Sequence, residues 1–393
     1  MSGVMDYLKW RGDLDFDHAP FNEVDGLILS MITYVDFAGI VPDESQGGDI
    51  SLRAATKTYF SKNAAKGADG TRDTEDMDRN LLVMRLGVIV PGEVHKLLLK
   101  MATSVRYRDL AMSRHVCAWE EEGENPMQFA ALTFRWQQKT DQTIVVFRGT
   151  DDTLAGCRED LNLSFMDEVP SQRRATEYLN ALYRPRVWPR RKMTELYVCG
   201  HSKGGNLAVW SAVHASASVR KRIRQVYNFD GPGFSAALLQ SPEYAELNGR
   251  ITTLVPQSSL VGLLLENDGK YQIVKSTQKG VFQHNGLGWA VEGAAFIRMK
   301  ALSKEGIKND TVTRSRIESM TAEERRTLTR LIFEVIESTG ARTLSDLSEA
   351  KLKHAVTMLK TINEYDKATR ALLIELLLKL FVSRKALKKE DKK

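Results

Sequence analysis

The chain has three cysteines in 393 residues, Cys117, Cys157 and Cys199. They show neither paired spacing nor histidine-rich neighbours, which excludes a disulfide framework and a zinc site and fits a reducing compartment. No apolar run approaches the roughly 18 residues that a membrane span needs. The first twenty residues, with Asp6, Lys9, Arg11, Asp13, Asp15 and Asp17, lack the apolar stretch of a secretory signal, so a cytoplasmic location is expected. Internal repeats and low-complexity segments are also missing. The net charge of +6 does not spread over a face, because Arg384, Lys385, Lys388, Lys389, Lys392 and Lys393 against Glu390 and Asp391 place +4 of it in residues 384–393. No nucleic-acid partner is implied.

What is present centres on Gly200-His201-Ser202-Lys203-Gly204-Gly205, which reads G-x-S-x-G. A β-prone stretch, Thr194 to Cys199, precedes it and a helix former, Asn206 to Val213, follows it. That strand, turn, helix context is what a nucleophile elbow requires: a serine on a tight turn, flanked by glycines so that strand and helix approach closely. Ser202 is the candidate nucleophile.

Along the rest of the chain, residues 1–20 are charged and aperiodic and predict an arm on the body. Asn22 and Asp25 are spaced as a cap ahead of Leu27, Ile28, Met31, Ile32, Val35 and Phe37 at helical spacing, which predicts a buried helix. Further helices are expected near 52–60, 94–105 and 171–183. Strands are expected at 128–134 and 143–147, joined as a hairpin by the polar turn from Gln137 to Asp141, and at 194–199, 223–229, 251–255 and 271–274. Strands alternating with helices predict an α/β fold whose mostly parallel sheet is covered on both faces. From about Asp310 onward the pattern is helical without strands, so the division expected is an arm (1–20), a catalytic body (21–309) and a C-terminal helical appendage (310–393). In that appendage the run Leu372 to Val382 has apolar residues around most of the helix circumference, which predicts burial. With its basic tail it is also the candidate for contact with an anionic membrane or another subunit.

A serine nucleophile needs a base and a group to orient that base, and in this fold they follow in the order Ser, acid, His. His18, His95 and His115 precede the elbow. His201 is read as packing within the turn, and His214 lies about 18 Å down the elbow helix at 1.5 Å per residue. His354, among Lys351, Lys353 and Lys360, is expected on the surface. His284, in a glycine-flanked loop after the last strand, remains as the base.

Four motifs in order, F-R-G-T-D-D-T-L (Phe147 to Leu154), G-H-S-K-G-G-N-L-A (Gly200 to Ala208), N-F-D-G-P-G-F (Asn228 to Phe234) and V-P-Q-S-S (Val255 to Ser259), closely resemble the bacterial Mbeg-like, lipase-like family of α/β-hydrolases. The resemblance spans roughly residues 20–300 and implies an α/β-hydrolase fold with a serine nucleophile, without supplying a substrate. The chain departs from it twice, with Cys157 where an aromatic is expected and His284-Asn285-Gly286 where H-D-P is expected. Fungal-type lipases carry the acid after the strand at 251–255, but Pro256-Gln257-Ser258-Ser259 holds no carboxylate. Phe229-Asp230-Gly231-Pro232-Gly233-Phe234 resembles the acid-bearing segment of pancreatic-type lipases, which makes Asp230 the candidate, with Glu266 and Asp268 in reserve. The oxyanion donors implied are the amide of Lys203 and a group from Gly149-Thr150-Asp151, where Thr150 matches a hydroxyl residue of fungal-type lipases. The side chain of Lys203 is expected in solvent. Adjacent Asp151 and Asp152 lack partners at ligand spacing, and neither a metal nor a cofactor is assigned.

Two functions stay open on these residues. One is a serine esterase or lipase acting on a small acyl ester or lipid. The other is a catalytically idle hydrolase fold used as a binding or scaffold module. The oligomeric state is not legible.

Overall fold

The computed structural model describes all residues except 1, 68–91, 122–124, 139–140, 184–194, 260, 267–268, 305, 308–315, 318, 350 and 382–393. The N-terminal stretch, expected to be aperiodic, contains helix α1 (Val4–Arg11). Val4, Tyr7 and Leu8 are its buried face. Two turns carrying Asp6, Lys9 and Arg11 on the outside are too few for the helical period to stand out. Helix α2 (Glu23–Ile32) is capped as its sequence predicts: Asn22 Oδ1 accepts from the amides of Val24 and Asp25, and Asp25 Oδ2 accepts from the amide of Asn22. Asp25 also binds the arm. Its Oδ1 accepts from Arg106 Nε at 2.7 Å and from Tyr7 Oη at 3.0 Å, while Arg106 Nη1 donates to the carbonyls of Leu14 and Ala19. A fully buried ion pair survives only when its remaining hydrogen-bonding positions are filled in this way.

Strand β1 (Ile50–Ser51) and helices α3 (Leu52–Gly67) and α4 (Glu93–Thr103) lead to β2 (Ala111–Glu120), β3 (Met127–Gln137) and β4 (Asp141–Phe147). β2 escaped the sequence reading because Arg114, at φ 55°, sits in a register shift between Ser113 and Val116 that breaks the alternation. β3 and β4 pair antiparallel, with Gln137 opposite Asp141, as the polar turn predicts. After β4 come α5 (Leu154–Asn162), α6 (Pro170–Ala181), β5 (Glu195–His201), α7 (Lys203–His214), β6 (Ile223–Phe229), β7 (Ile251–Pro256), β8 (Gln272–Val274) and β9 (Arg298–Met299). They form a nine-stranded sheet in sequence order, parallel from β4 to β8 and antiparallel at both edges. The fold is α/β.

Both faces of the sheet are covered. Ile144, Val146, Tyr197 and Cys199 pack with α2, and the alternate residues Val145, Phe147, Leu196 and Val198 pack with α6 and α7. Burial on both sides is why β4 and β5 read as continuous apolar runs rather than as alternating ones. Because β4 to β8 run parallel, the loops after β4, β5, β6, β7 and β8 gather at one edge, where open α/β sheets collect ligands. Glycine-lined turns lie in those loops, with Thr150, Ser202, Asp230 and His284, and Lys203 opens the helix that follows β5.

Past residue 310 the described elements are helices: α8 (Ala322–Glu337), α9 (Leu344–Glu349), α10 (Lys351–Glu364) and α11 (Lys367–Phe381). Met320, Leu328, Leu331, Leu373 and Leu376 make a small core of their own. Two expectations fail here. Leu372, Ile374 and Leu378 are exposed while Leu373 and Leu376 are buried, so the apolar run of α11 is covered on one side only, and His354, expected on the surface, is buried. Among the described residues, Met320, Leu328 and Leu331 pack against the side of α11 that carries Leu373 and Leu376. No described helix is long and apolar enough to cross a membrane.

Candidate active site

Ser202 stands between β5 and α7 with φ 57° and ψ −133°, a backbone state unusual for a residue with a side chain. The turn is possible because its flanks are bare: a Cβ on Gly200 would meet Gly204 O at 2.0 Å and one on Gly204 would meet Phe147 O at 2.2 Å. The Ser202 amide donates to Phe229 O at 2.9 Å, which fixes the turn to β6. As the first residue of α7, Lys203 has an amide without an intrahelical acceptor, so that N–H is available at the mouth of the turn.

Asp230 follows β6, also at positive φ (54°), and its amide donates to Leu254 O at 2.8 Å. Its carboxylate is fully buried. Oδ2 lies 2.6 Å from His284 Nδ1, and Oδ1 accepts from Ser259 Oγ at 2.5 Å and from the Gly262 amide at 3.2 Å. The segment Val255 to Ser259, which holds no carboxylate, thus supplies through Ser259 one of the two donors that keep one in place. With Nδ1–H turned to Asp230, the free nitrogen of His284 is Nε2. The loop carrying His284 is pinned by Gln283, whose Oε1 accepts from the Ser258 amide at 2.9 Å and whose carbonyl accepts from Trp289 Nε1 at 2.9 Å. Among the described residues Ser202 Oγ has no hydrogen-bond partner, and such contacts often close only around substrate. Glu266, held in reserve, is exposed and its main chain pairs with Phe234. Asp268 lies outside the described residues.

His201 is more than turn packing. Nε2 donates to His284 O at 2.7 Å, Nδ1 lies 3.2 Å from Tyr34 Oη, and burial with the neighbouring His284 lowers its pKa to about 3. The ring is therefore neutral and bridges the elbow to the loop of His284.

The side chain of Lys203, expected in solvent, is buried. Its Nζ meets Glu159 Oε2 and Gln128 O, each at 2.8 Å, so the elbow helix is tied to α5 and β3 rather than offered to an anionic substrate. Glu159 is a suitable anchor because its carboxylate also accepts from the amides of Gln128 and Ser171. Gly149 lets the loop after β4 lie against the elbow, since a Cβ there would meet Tyr34 Oη at 2.3 Å and His201 O at 2.6 Å. Next to it, the Thr150 hydroxyl donates to Asp160 Oδ2 at 2.6 Å. Asp151 and Asp152 are engaged structurally: Asp151 accepts from Arg148 and Thr153, and Asp152 from the Ser345 amide.

Residues 101–334 match the family described as Mbeg1-like. The chain belongs to that family. No curated protein matches it. Among solved structures, one described as the crystal structure of M37 lipase is similar at 13% identity, covering 62% of this chain and 70% of that one with a TM-score of 0.31.

In this Mbeg1-like chain the site also holds a residue that the sequence does not single out. Asp160, on α5, is half-buried as a residue, but its carboxylate is enclosed and Oδ1 meets no partner among the described residues. Burial raises its pKa to about 6, against the lowering pull of Lys203 and of the Thr150 hydrogen bond. A carboxyl ten residues after a loop threonine gives no local signal. The fold brings the two together by turning the chain at the start of α5, where Thr153 Oγ1 accepts from the Gly156 amide at 3.2 Å.

Proposed function

We propose that this protein is a serine-dependent hydrolase of carboxylic esters that works through an acyl-enzyme. The observation that carries the reading is the buried Asp230 held 2.6 Å from His284 Nδ1, at the same sheet edge as an elbow serine. In this mechanism Ser202 Oγ attacks the acyl carbonyl while His284 Nε2 takes its proton. Asp230 holds the imidazole in the Nδ1–H tautomer and stabilises the imidazolium. The carbonyl oxygen becomes an oxyanion facing the Lys203 amide and the Gly149-Thr150 segment. Collapse expels the alcohol, protonated by His284, and water then repeats the sequence to release the acid.

An acyl or lipid substrate suits the exposed apolar residues Val281 and Phe282 just before His284 and Leu161 just after Asp160. Contact with an anionic membrane draws support from exposed Leu372, Ile374 and Leu378 and from the basic residues that follow position 383. Three cysteines without disulfide partners are in keeping with a cytoplasmic location. The second reading, a binding module without turnover, draws on the missing Ser202–His284 hydrogen bond. Fluorophosphonate labelling separates the two: wild type labels and Ser202→Ala does not if Ser202 is the nucleophile, and equal labelling of both sinks the assignment.

A further inference from the structure

The C-terminal helices touch the body at a place that bears on chemistry. Residues 342–345 run antiparallel to residues 152–154. The Leu344 amide donates to Asp152 O at 2.9 Å, the Leu154 amide to Arg342 O at 2.9 Å, and the Ser345 amide to Asp152 Oδ2 at 3.1 Å. Below this strap Leu154 packs with Phe333 and Ala341, and Arg158 Nη1 meets Glu337 Oε1 at 3.1 Å. The strap lies beyond the residues 101–334 that match the family.

What the strap grips is the segment between Thr150, on the oxyanion side of the proposed site, and Asp160, which accepts from it. Thr150 lies two residues before Asp152. Thr153 donates to Asp151 Oδ1 from its amide and hydroxyl and caps α5, and α5 carries Asp160, which accepts from Thr150. Strap, cap, helix and threonine are consecutive links in one set of bonds. Oxyanion stabilisation depends on donors fixed before the reaction, and one displaced donor costs about 10²–10³-fold in kcat. Surface loops without such ties open locally at low free energy.

We propose that residues 342–345 are a positioning element for the oxyanion loop, so that the C-terminal region governs the competence of a site to which it contributes no reacting group. The proposal rests on the serine hydrolase reading above. It also gives the appendage a task other than surface attachment.

The test is made on the full chain. Leu344→Pro removes the N–H given to Asp152 O at a position that tolerates proline, the first residue of α9, and the preceding Thr343 is extended in its bridge to Thr153. Leu344→Ala keeps the N–H and controls for the lost side chain. Relative to Leu344→Ala, Leu344→Pro is expected to speed amide hydrogen exchange at Leu154 about tenfold or more and to lower kcat on a short-chain ester about tenfold, with KM within about twofold. Equal exchange in the two variants overturns the proposal, and so does faster exchange with equal kcat. If Leu344→Pro does not melt cooperatively, Asp152→Ala, which deletes the acceptor of the Ser345 amide, is read the same way. A wild type without Ser202-dependent turnover would defeat the hydrolase reading and the catalytic part of this proposal together, whereas turnover with unchanged exchange defeats the strap alone.

Discussion

His201 Nε2 donates to the carbonyl oxygen of His284 across 2.7 Å, and the two imidazole rings lie 4.7 Å apart. A carbonyl can only accept, so Nε2 carries the hydrogen and Nδ1 is left to accept from Tyr34 Oη. His201, the residue before Ser202, therefore sets where the loop of His284 sits. His201→Ala is expected to lower kcat about 10–100-fold with KM little changed, through misplacement of His284. The pH dependence gives a readout that lost packing would not move. Because folding depresses the pKa of His201 to about 3 from 6.5, it contributes stability that is present above pH 6.5 and is lost as pH falls toward 3. A His201→Gln protein should lose less stability across that window than wild type, and parallel melting curves for the two would contradict the assignment.

Asp230 and Glu266 are separable by kinetics. Asp230→Asn should lower turnover about 10⁴-fold, the size of effect seen in serine proteases when the histidine is held in the wrong tautomer. Glu266→Gln, at an exposed position whose main chain pairs with Phe234, should leave turnover within about twofold. The reverse ranking in steady-state assays would remove Asp230 from the mechanism.

The ion pair of Lys203 with Glu159 is fully buried at the start of the elbow helix. Lys203→Met should destabilise the fold by about 3–5 kcal/mol, because it strands a carboxylate in the interior. Adding Glu159→Gln should recover part of that loss by removing the stranded charge, while its single oxygen keeps an acceptor for one of the Ser171 and Gln128 amides. Urea melts of the single and double variants decide this, and a cost below about 1 kcal/mol for Lys203→Met would mean that the lysine is not held as described.

Asp160 predicts the opposite pH slope to His201. Its pKa in the fold is raised from 3.8 to about 6, so its contribution to stability is present below pH 3.8 and is lost as pH rises through 6. Asp160→Asn, which imitates the protonated form, should match wild type near pH 4 and exceed it above pH 6 by about 1–3 kcal/mol. Melting temperatures of the two proteins at pH 4 and pH 8 provide the check, and a constant difference would show that Asp160 ionises freely.

The parts of this protein whose physics is local are legible along the chain. The bare flanks of Ser202 are written as Gly200 and Gly204 because a strand and a helix must approach there, and the cap of α2 is written as Asn22 and Asp25 because a helix start leaves amides unpaired. Strands buried on both faces are legible as β-branched runs, so the alternation of strand and helix and the chain order of Ser202, Asp230 and His284 could be read directly. β2 could not, since a bulge at Arg114 erases its period, and α1 could not, since two turns carry too little pattern. Which distant groups satisfy one another emerges only when the chain is folded. Lys203 finds Glu159 from 44 residues away, His201 finds the carbonyl of His284 from 83, and Asp152 finds the Ser345 amide from 193. Each of these partners is chosen because a buried donor, acceptor or charge must be matched by whatever the fold brings within reach, and no spacing along the chain records that requirement.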